Sequence, residues 1–308
     1  MNTDPHAPFR GIWPALLTPL THTLDIAHAR LSAHAHALLA AGCGGVTPFG
    51  TTGEGPSFSL AERIAAVDAM VEHGVPPSQI LVSTSCAALP DTLALTRHAL
   101  RIGAHGCLML PPFYLKGVPD QGVIDAYRYV IDGAADPALR LYLYHIPQVA
   151  AVGLSHHVIH TLKQQYPQTI VGIKDSSGEL QHSLDLANAF MPRLMVYVGN
   201  ELDLRELGRR GSTGAVSGLA NFMPRRVHRL VSQPDAAGTA ADLERTRQVL
   251  ARLNAHALIP AIKAVMAGVA QEPAWLRVRP PLVALTHSEM HTLMAGIAEL
   301  GIDPEMNR

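Results

Sequence analysis

Lysine is scarce in this chain: its 308 residues include four, Lys116, Lys163, Lys174 and Lys263. Net charge is nearly absent as well, at −1, so no basic field exists to draw in a phosphate backbone or an anionic membrane surface. The expectation is no nucleic-acid partner and no membrane partner. Cysteine is rare, and Cys43, Cys86 and Cys107 show no CxxC spacing, which excludes a disulfide framework and fits buried thiols in a reducing compartment. Hydrophobic residues make up 48%, yet no unbroken run approaches the roughly 18 apolar residues that a spanning helix needs. The opening MNTDPHAPFR is polar and has no apolar core of a signal peptide. These absences predict a cytoplasmic protein with a large buried core.

What is present is an alternation. Short apolar runs rich in β-formers are followed by segments of helical periodicity, and the pair recurs roughly every 25 to 35 residues, the rhythm of a parallel sheet. Eight runs stand out: Ile12 to Leu20, Gly45 to Gly50, Ile80 to Ser85, Gly106 to Pro112, Leu141 to Pro147, Ile170 to Ser176, Met195 to Asn200 and Gly214 to Asn221. A doubly wound sheet has fewer strands and a glycine-rich first turn, and no GxGxxG follows the first run here. The predicted class is α/β, a (β/α)8 TIM barrel with a C-terminal helical extension. The barrel, carrying the active site, is expected over 1–233 and a helical bundle over 234–308.

Barrel enzymes take their functional groups from the C-terminal ends of the strands. The informative polar residues fall there: GTTGE (Gly50 to Glu54), PPFY (Pro111 to Tyr114), YHIP (Tyr144 to Pro147), Lys174, Glu201 and Ser217. In IVGIKDSSG (Ile170 to Gly178) a lysine sits inside an apolar run, where an ammonium loses its hydration unless it is paired or gives up its proton. Strict alternation puts Ile170, Gly172 and Lys174 inside the barrel and Val171 and Ile173 outside, with Gly172 leaving room for a ligand. By the same parity Tyr142 and Tyr144 point inward.

A neutral amine in such a pocket attacks a carbonyl to form a Schiff base, an electron sink for C–C cleavage. The competing reading is an ion pair between Lys174 and Asp175, which neighbours on opposite faces do not form easily. GTTGE is either a connecting turn or a cradle for a small carboxylate. Tyr114 and Tyr144 are either core residues or a proton relay. The seventeen histidines, including His34 with His36 and His156 with His157, lack metal-ligand spacing and read as surface residues. No metal site is expected from this spacing. RELGRRGS (Arg205 to Ser212) reads as a solvated helix end.

GTTGE, PPFY, Y-x-x-P and GIKDSSG occur in this order from about Gly11 to Asn221, and the chain resembles the dihydrodipicolinate synthase / N-acetylneuraminate lyase family of pyruvate-dependent class I aldolases. The resemblance implies that Lys174 forms the Schiff base, that Tyr144 is the acid/base, and that Thr51 and Tyr114 complete its relay. It implies that Thr52 with Thr51, in the turn opened by Gly50, holds the pyruvate carboxylate, and that the Val216 carbonyl faces the pyruvyl group. Tyr114 would reach a neighbouring subunit's site in a homotetramer, a dimer of dimers, and the resemblance implies that neither a metal nor an organic cofactor is needed.

The pattern departs from the lysine-pathway synthases at Val149, where they carry an arginine, and at His145, where asparagine is usual. Glu201, two residues after Gly199, matches the acidic position that binds substrate hydroxyls in the sugar-cleaving branch. The expected reaction is reversible cleavage of a 2-oxo-3-deoxy (sugar) acid to pyruvate and an aldehyde. The alternatives are 4-hydroxy-tetrahydrodipicolinate synthase activity on pyruvate and aspartate semialdehyde, a hydratase or dehydratase, and a pyruvate-binding regulatory protein.

Overall fold

The computed structural model describes residues 8–301. Seven parallel strands, β1 (Gly11–Pro14), β2 (Leu81–Ser83), β3 (Gly106–Met109), β4 (Leu141–His145), β5 (Ile170–Asp175), β6 (Met195–Val198) and β7 (Gly214–Ser217), form one sheet in the order β1-β7-β6-β5-β4-β3-β2. The run Gly45 to Gly50, expected as a strand of its own, is not one. It joins the two sheet edges through isolated parallel bridges, Ala15 with Thr47 and Val46 with Ile80. Thr47 N donates to Pro14 O at 2.8 Å and Leu81 N to Val46 O at 2.9 Å. The sheet therefore curls until its edges meet, with a short irregular segment at the seam. Glycine is required at Gly44 and Gly45 beside this segment, because a Cβ at either would run into the Trp13 ring.

Helices cover the outside because the intervening sequences carry caps and apolar faces. Helix Leu60–Glu72 opens on a capping box, in which Ser59 Oγ accepts from Glu62 N and Glu62 accepts from Ser59 N, so two otherwise unpaired amides are satisfied. Helix Leu180–Phe190 follows β5 and buries Ser183, Leu186 and Ala187. Beyond Gln233 the chain is helical, at Thr239–Leu253, Leu258–Val269 and His287–Ala298. Among the described residues no single helix is long and apolar enough to cross a membrane.

Two buried clusters divide the molecule. The larger lies between sheet and helices and includes Leu141, Leu143, Ile170 and Ile173. The smaller fills the inside of the sheet with Trp13, Leu81, Leu108, Tyr142, Tyr144, Tyr197 and Val216. Phe9 plugs its lower end, stacked on Tyr197 at 3.8 Å between ring centroids, while its carbonyl accepts from the Tyr197 hydroxyl at 2.9 Å. The end at the strand C-termini is open.

Strict alternation along the lysine strand fails at one point. Leu141 pairs with Ile170, but Tyr142 pairs with Gly172, so Val171 is the extra residue of a bulge. Ile170 consequently packs outside and Val171 inside, the reverse of the parity expectation, while Gly172 and Lys174 keep their inward direction. The room beside Gly172 is also not ligand space. A Cβ there would lie 2.7 Å from Tyr142 and 2.9 Å from Tyr197, whose rings occupy the floor beneath the lysine.

Candidate active site

Lys174 on β5 and Tyr144 on β4 are cross-strand partners. Both are buried, and Lys174 Nζ lies 4.2 Å from the centroid of the Tyr144 ring. Thr51 Oγ1 stands 3.4 Å from the Tyr144 hydroxyl, at the long end of hydrogen-bonding range. Burial alone would push the Tyr144 phenol up. The Lys174 charge and hydrogen bonds with Thr51, Lys174 and Ser176 outweigh burial and bring the phenol below its ordinary value. A phenol held this way exchanges protons more readily near neutrality.

Asp175 faces the opposite side. Its carboxylate accepts from Ser183 Oγ at 2.6 Å, and His182 Nδ1 and Ser177 N each lie 2.9 Å from it. Burial opposes ionisation, but these hydrogen bonds prevail and keep the carboxyl below its usual range. Among the described residues Lys174 forms no salt bridge, so the pairing of Lys174 with Asp175 is not made. His145, beside Asp175 across the strand pair, stacks on His182 at 4.5 Å and 19°, and its Nδ1 accepts from Leu154 N at 2.9 Å.

His145, Asp175 and His182 bring ligand-type atoms within 4.8 Å of one another, a cluster that sequence spacing did not reveal. His145 Nδ1 already accepts from Leu154 N, and the Asp175 carboxylate is already occupied by donors. The cluster reads as a hydrogen-bonded brace on the outer face of β4 and β5. His34 corrects the surface reading of the histidines: it is buried, 3.0 Å from Asn221 Oδ1, and burial lowers its pKa to about 4 despite that bond.

The open end of the sheet holds a cleft of about 460 Å³ whose lining includes Thr51, Thr52, Lys174, Gly199, Glu201 and Val216. Among the described residues Lys174 is the only basic one lining it. Gly199 is required sterically, since a Cβ there would lie 2.8 Å from Lys174 Cε. Glu201 Oε1 accepts from Ser217 Oγ at 2.6 Å and from Leu219 N at 3.2 Å. Burial raises the Glu201 pKa, against the opposing effects of these two donors and of Lys174.

A second, apolar cavity of about 230 Å³ adjoins the other side of Thr51 and Tyr144 and is lined by Gly50, Phe113, Val149, Ile259 and Leu282 among others. Tyr114 is not brought to either cavity; it is 76% exposed. Sequence reasoning also missed three contributors. Ser176 touches Tyr144, Ile262 of the C-terminal helices lines the cleft, and Glu54 of GTTGE is paired with Lys263 in full burial. Lys263 carried the same signal as Lys174, a scarce lysine in an apolar run, LIPAIKAVMAG.

Fold and cleft together define an α/β protein with a buried lysine and a phenol at the C-terminal mouth of a curled parallel sheet. The profile of the dihydrodipicolinate synthetase family matches residues 8–300, so the chain belongs to that family and is one of its enzymes. It is similar to a DapA-like lyase, itself uncharacterized, of Chloroflexus aurantiacus, at 33% identity over 93% of this chain and 95% of the other. Dihydrodipicolinate synthase from Agrobacterium tumefaciens matches with a TM-score of 0.89 and 31% identity, covering 95% of this chain and 99% of that one. A Sulfolobus solfataricus 2-keto-3-deoxygluconate aldolase variant matches at a TM-score of 0.84 and 19% identity, over 94% of this chain and 96% of that one. That likeness concerns the fold alone.

Proposed function

We propose that this enzyme is a Schiff-base-forming class I aldolase that reversibly cleaves a 2-oxo-3-deoxy sugar acid into pyruvate and an aldehyde. The observation that carries the reading is the buried Lys174 amine over the Tyr144 ring, with Thr51 on the phenol. In this reading Nζ adds to the C2 carbonyl and water leaves, forming an iminium. Tyr144 takes the proton of the C4 hydroxyl, the C3–C4 bond breaks, and its electron pair passes into the iminium as the aldehyde departs. The enamine is reprotonated at C3 by Tyr144, and water releases pyruvate and the free amine.

Thr51 and Thr52 hold the carboxylate beside Gly50, the Val216 carbonyl faces the pyruvyl group, and Glu201, behind Gly199, meets a hydroxyl of the sugar chain. The acceptor end favours uncharged hydroxylated chains over a second carboxylate, because Val149 stands at the mouth and, among the described residues, the cleft offers no basic group besides Lys174. The barrel is read as complete, (β/α)8 over 1–233, with 234–308 as its helical extension. Tyr114, exposed in one chain, would enter a partner's apolar cavity in a homotetramer built as a dimer of dimers. The enzyme would work in the cytoplasm, without a metal or organic cofactor.

A panel of 2-oxo-3-deoxy acids, assayed for pyruvate release beside condensation of pyruvate with aspartate semialdehyde, tests the substrate. Cleavage of a sugar acid with poor use of aspartate semialdehyde is expected. The reverse preference would overturn the argument from Val149, and loss of water from the sugar acid without pyruvate release would assign a dehydratase.

A further inference from the structure

Glu54 ends the GTTGE turn in a left-handed conformation, φ 57°, which a side chain other than glycine adopts only when its surroundings hold it there. What holds it is the C-terminal part of the chain. Glu54 Oε1 accepts from Lys263 Nζ at 2.5 Å, with neither side chain exposed, and Oε2 accepts from Arg279 N at 3.2 Å. The turn is closed from within as well. Glu54 N donates to Thr51 O and Gly55 N to Gly50 O, each at 3.1 Å, and Thr18 Oγ1 donates to Gly53 O at 2.7 Å. A displacement of the Glu54 carboxylate is therefore transmitted to Thr51 through a stiff five-residue unit, Gly50 to Glu54.

The helix that carries Lys263, Leu258–Val269, also flanks the contact it would control. Ile259 lines the apolar cavity on one side of Thr51, and Ile262 lines the lysine cleft on the other. An apolar anchor would hold this turn at lower desolvation cost than a fully buried ion pair. An ion pair with a backbone donor on its second oxygen fixes direction as well as distance. The Thr51–Tyr144 separation of 3.4 Å has little slack, so a shift of a few tenths of an ångström breaks it.

We infer that Lys263 is a positioning residue, which through Glu54 sets Thr51 against Tyr144 and so makes the C-terminal helix part of the catalytic unit. The inference rests on the aldolase reading. Its consequence has a sign. Loss of the Thr51 bond removes one of the influences that lower the Tyr144 phenol against its burial, with Lys174 as the charge facing the phenol and Glu201 the carboxylate facing Lys174. The pH limb governed by Tyr144 then moves to higher pH.

Exchange of the pyruvate methyl protons in D₂O, followed by NMR, needs only pyruvate and reports enamine formation directly. In Lys263→Met the exchange rate is expected to fall about 10- to 100-fold, with its pH limb moved upward, while borohydride still traps a pyruvate adduct at Lys174. Lys263→Met with Glu54→Gln leaves no unpaired buried charge and serves the same test if the single variant does not fold. A folded variant with the parent's exchange rate and pH profile would overturn the inference and leave the pair purely structural. Absence of any adduct in the parent enzyme would instead overturn the aldolase reading, so the two failures are distinguishable.

Discussion

Lys174 and Lys263 put the same residue type in two apolar runs, and the fold gives them opposite fates. Lys263 meets the carboxylate of Glu54 and is sealed from solvent; burial lowers its pKa and Glu54 counteracts that. Lys174 meets no carboxylate at ion-pair distance among the described residues, lies over an aromatic ring and faces a cleft. A buried lysine in a sequence thus poses two possibilities, structural pair or reactive amine, and this chain contains one of each. What separates them is the partner, which sits far away in sequence, 209 residues in the case of Glu54 and Lys263.

Matched substitutions break the comparison most sharply. Lys174→Met should abolish turnover, by at least about 10³-fold, without lowering the melting temperature, because among the described residues Lys174 makes no salt bridge whose partner the substitution would strand. Lys263→Met should cost about 3–5 kcal/mol of stability, the penalty for stranding a buried carboxylate, read as a lowered denaturant midpoint. Equal stability losses in the two variants would erase the distinction. Tyr144→Phe, measured by pyruvate methyl exchange, should slow the enzyme about 10²- to 10⁴-fold and leave the borohydride adduct intact, separating proton transfer from amine attack.

Two smaller effects follow from titration. Glu201 is pushed up by burial, against the Ser217 and Leu219 donors and Lys174, so the folded state holds its proton more tightly than the unfolded chain. Its contribution to stability is full below the ordinary glutamate pKa and is lost as pH rises through the raised value. Glu201→Gln should therefore gain stability over the parent as pH goes from about 4 to 7, seen as a midpoint difference that widens with pH.

His145 on the outer face behaves oppositely. Burial lowers it to about 4, with Asp175 opposing and His182 adding to the effect. Its stabilising contribution is present above the ordinary histidine value and declines as pH falls toward about 4. His145→Asn should flatten that acid loss in a melting-temperature profile.

Much of this organisation was legible beforehand because it is local. The alternation of apolar runs and helical segments named seven of the observed strands, and parity within β4 and at the end of β5 brought Tyr144 and Lys174 to one face. What failed was set by tertiary contact. The segment Gly45 to Gly50 makes isolated bridges at Val46 and Thr47 in place of a ladder, and Pro48 has no amide N–H to extend them. Val171 turned inward because of a bulge that no residue in IVGIKD announces, and Gly172 made room for tyrosines instead of ligand. The brace of His145, Asp175 and His182 and the pair of Glu54 and Lys263 join distant segments, and single-residue signals do not say which segments meet.

The most direct test is the intact mass of the protein after incubation with pyruvate and borohydride, with Lys174→Ala as control, because reduction converts an iminium into a stable amine. The account predicts a single pyruvate-sized adduct in the parent and none in the variant. A folded parent without the adduct, or an adduct that survives in Lys174→Ala, would contradict it and leave Lys174 a second structural lysine.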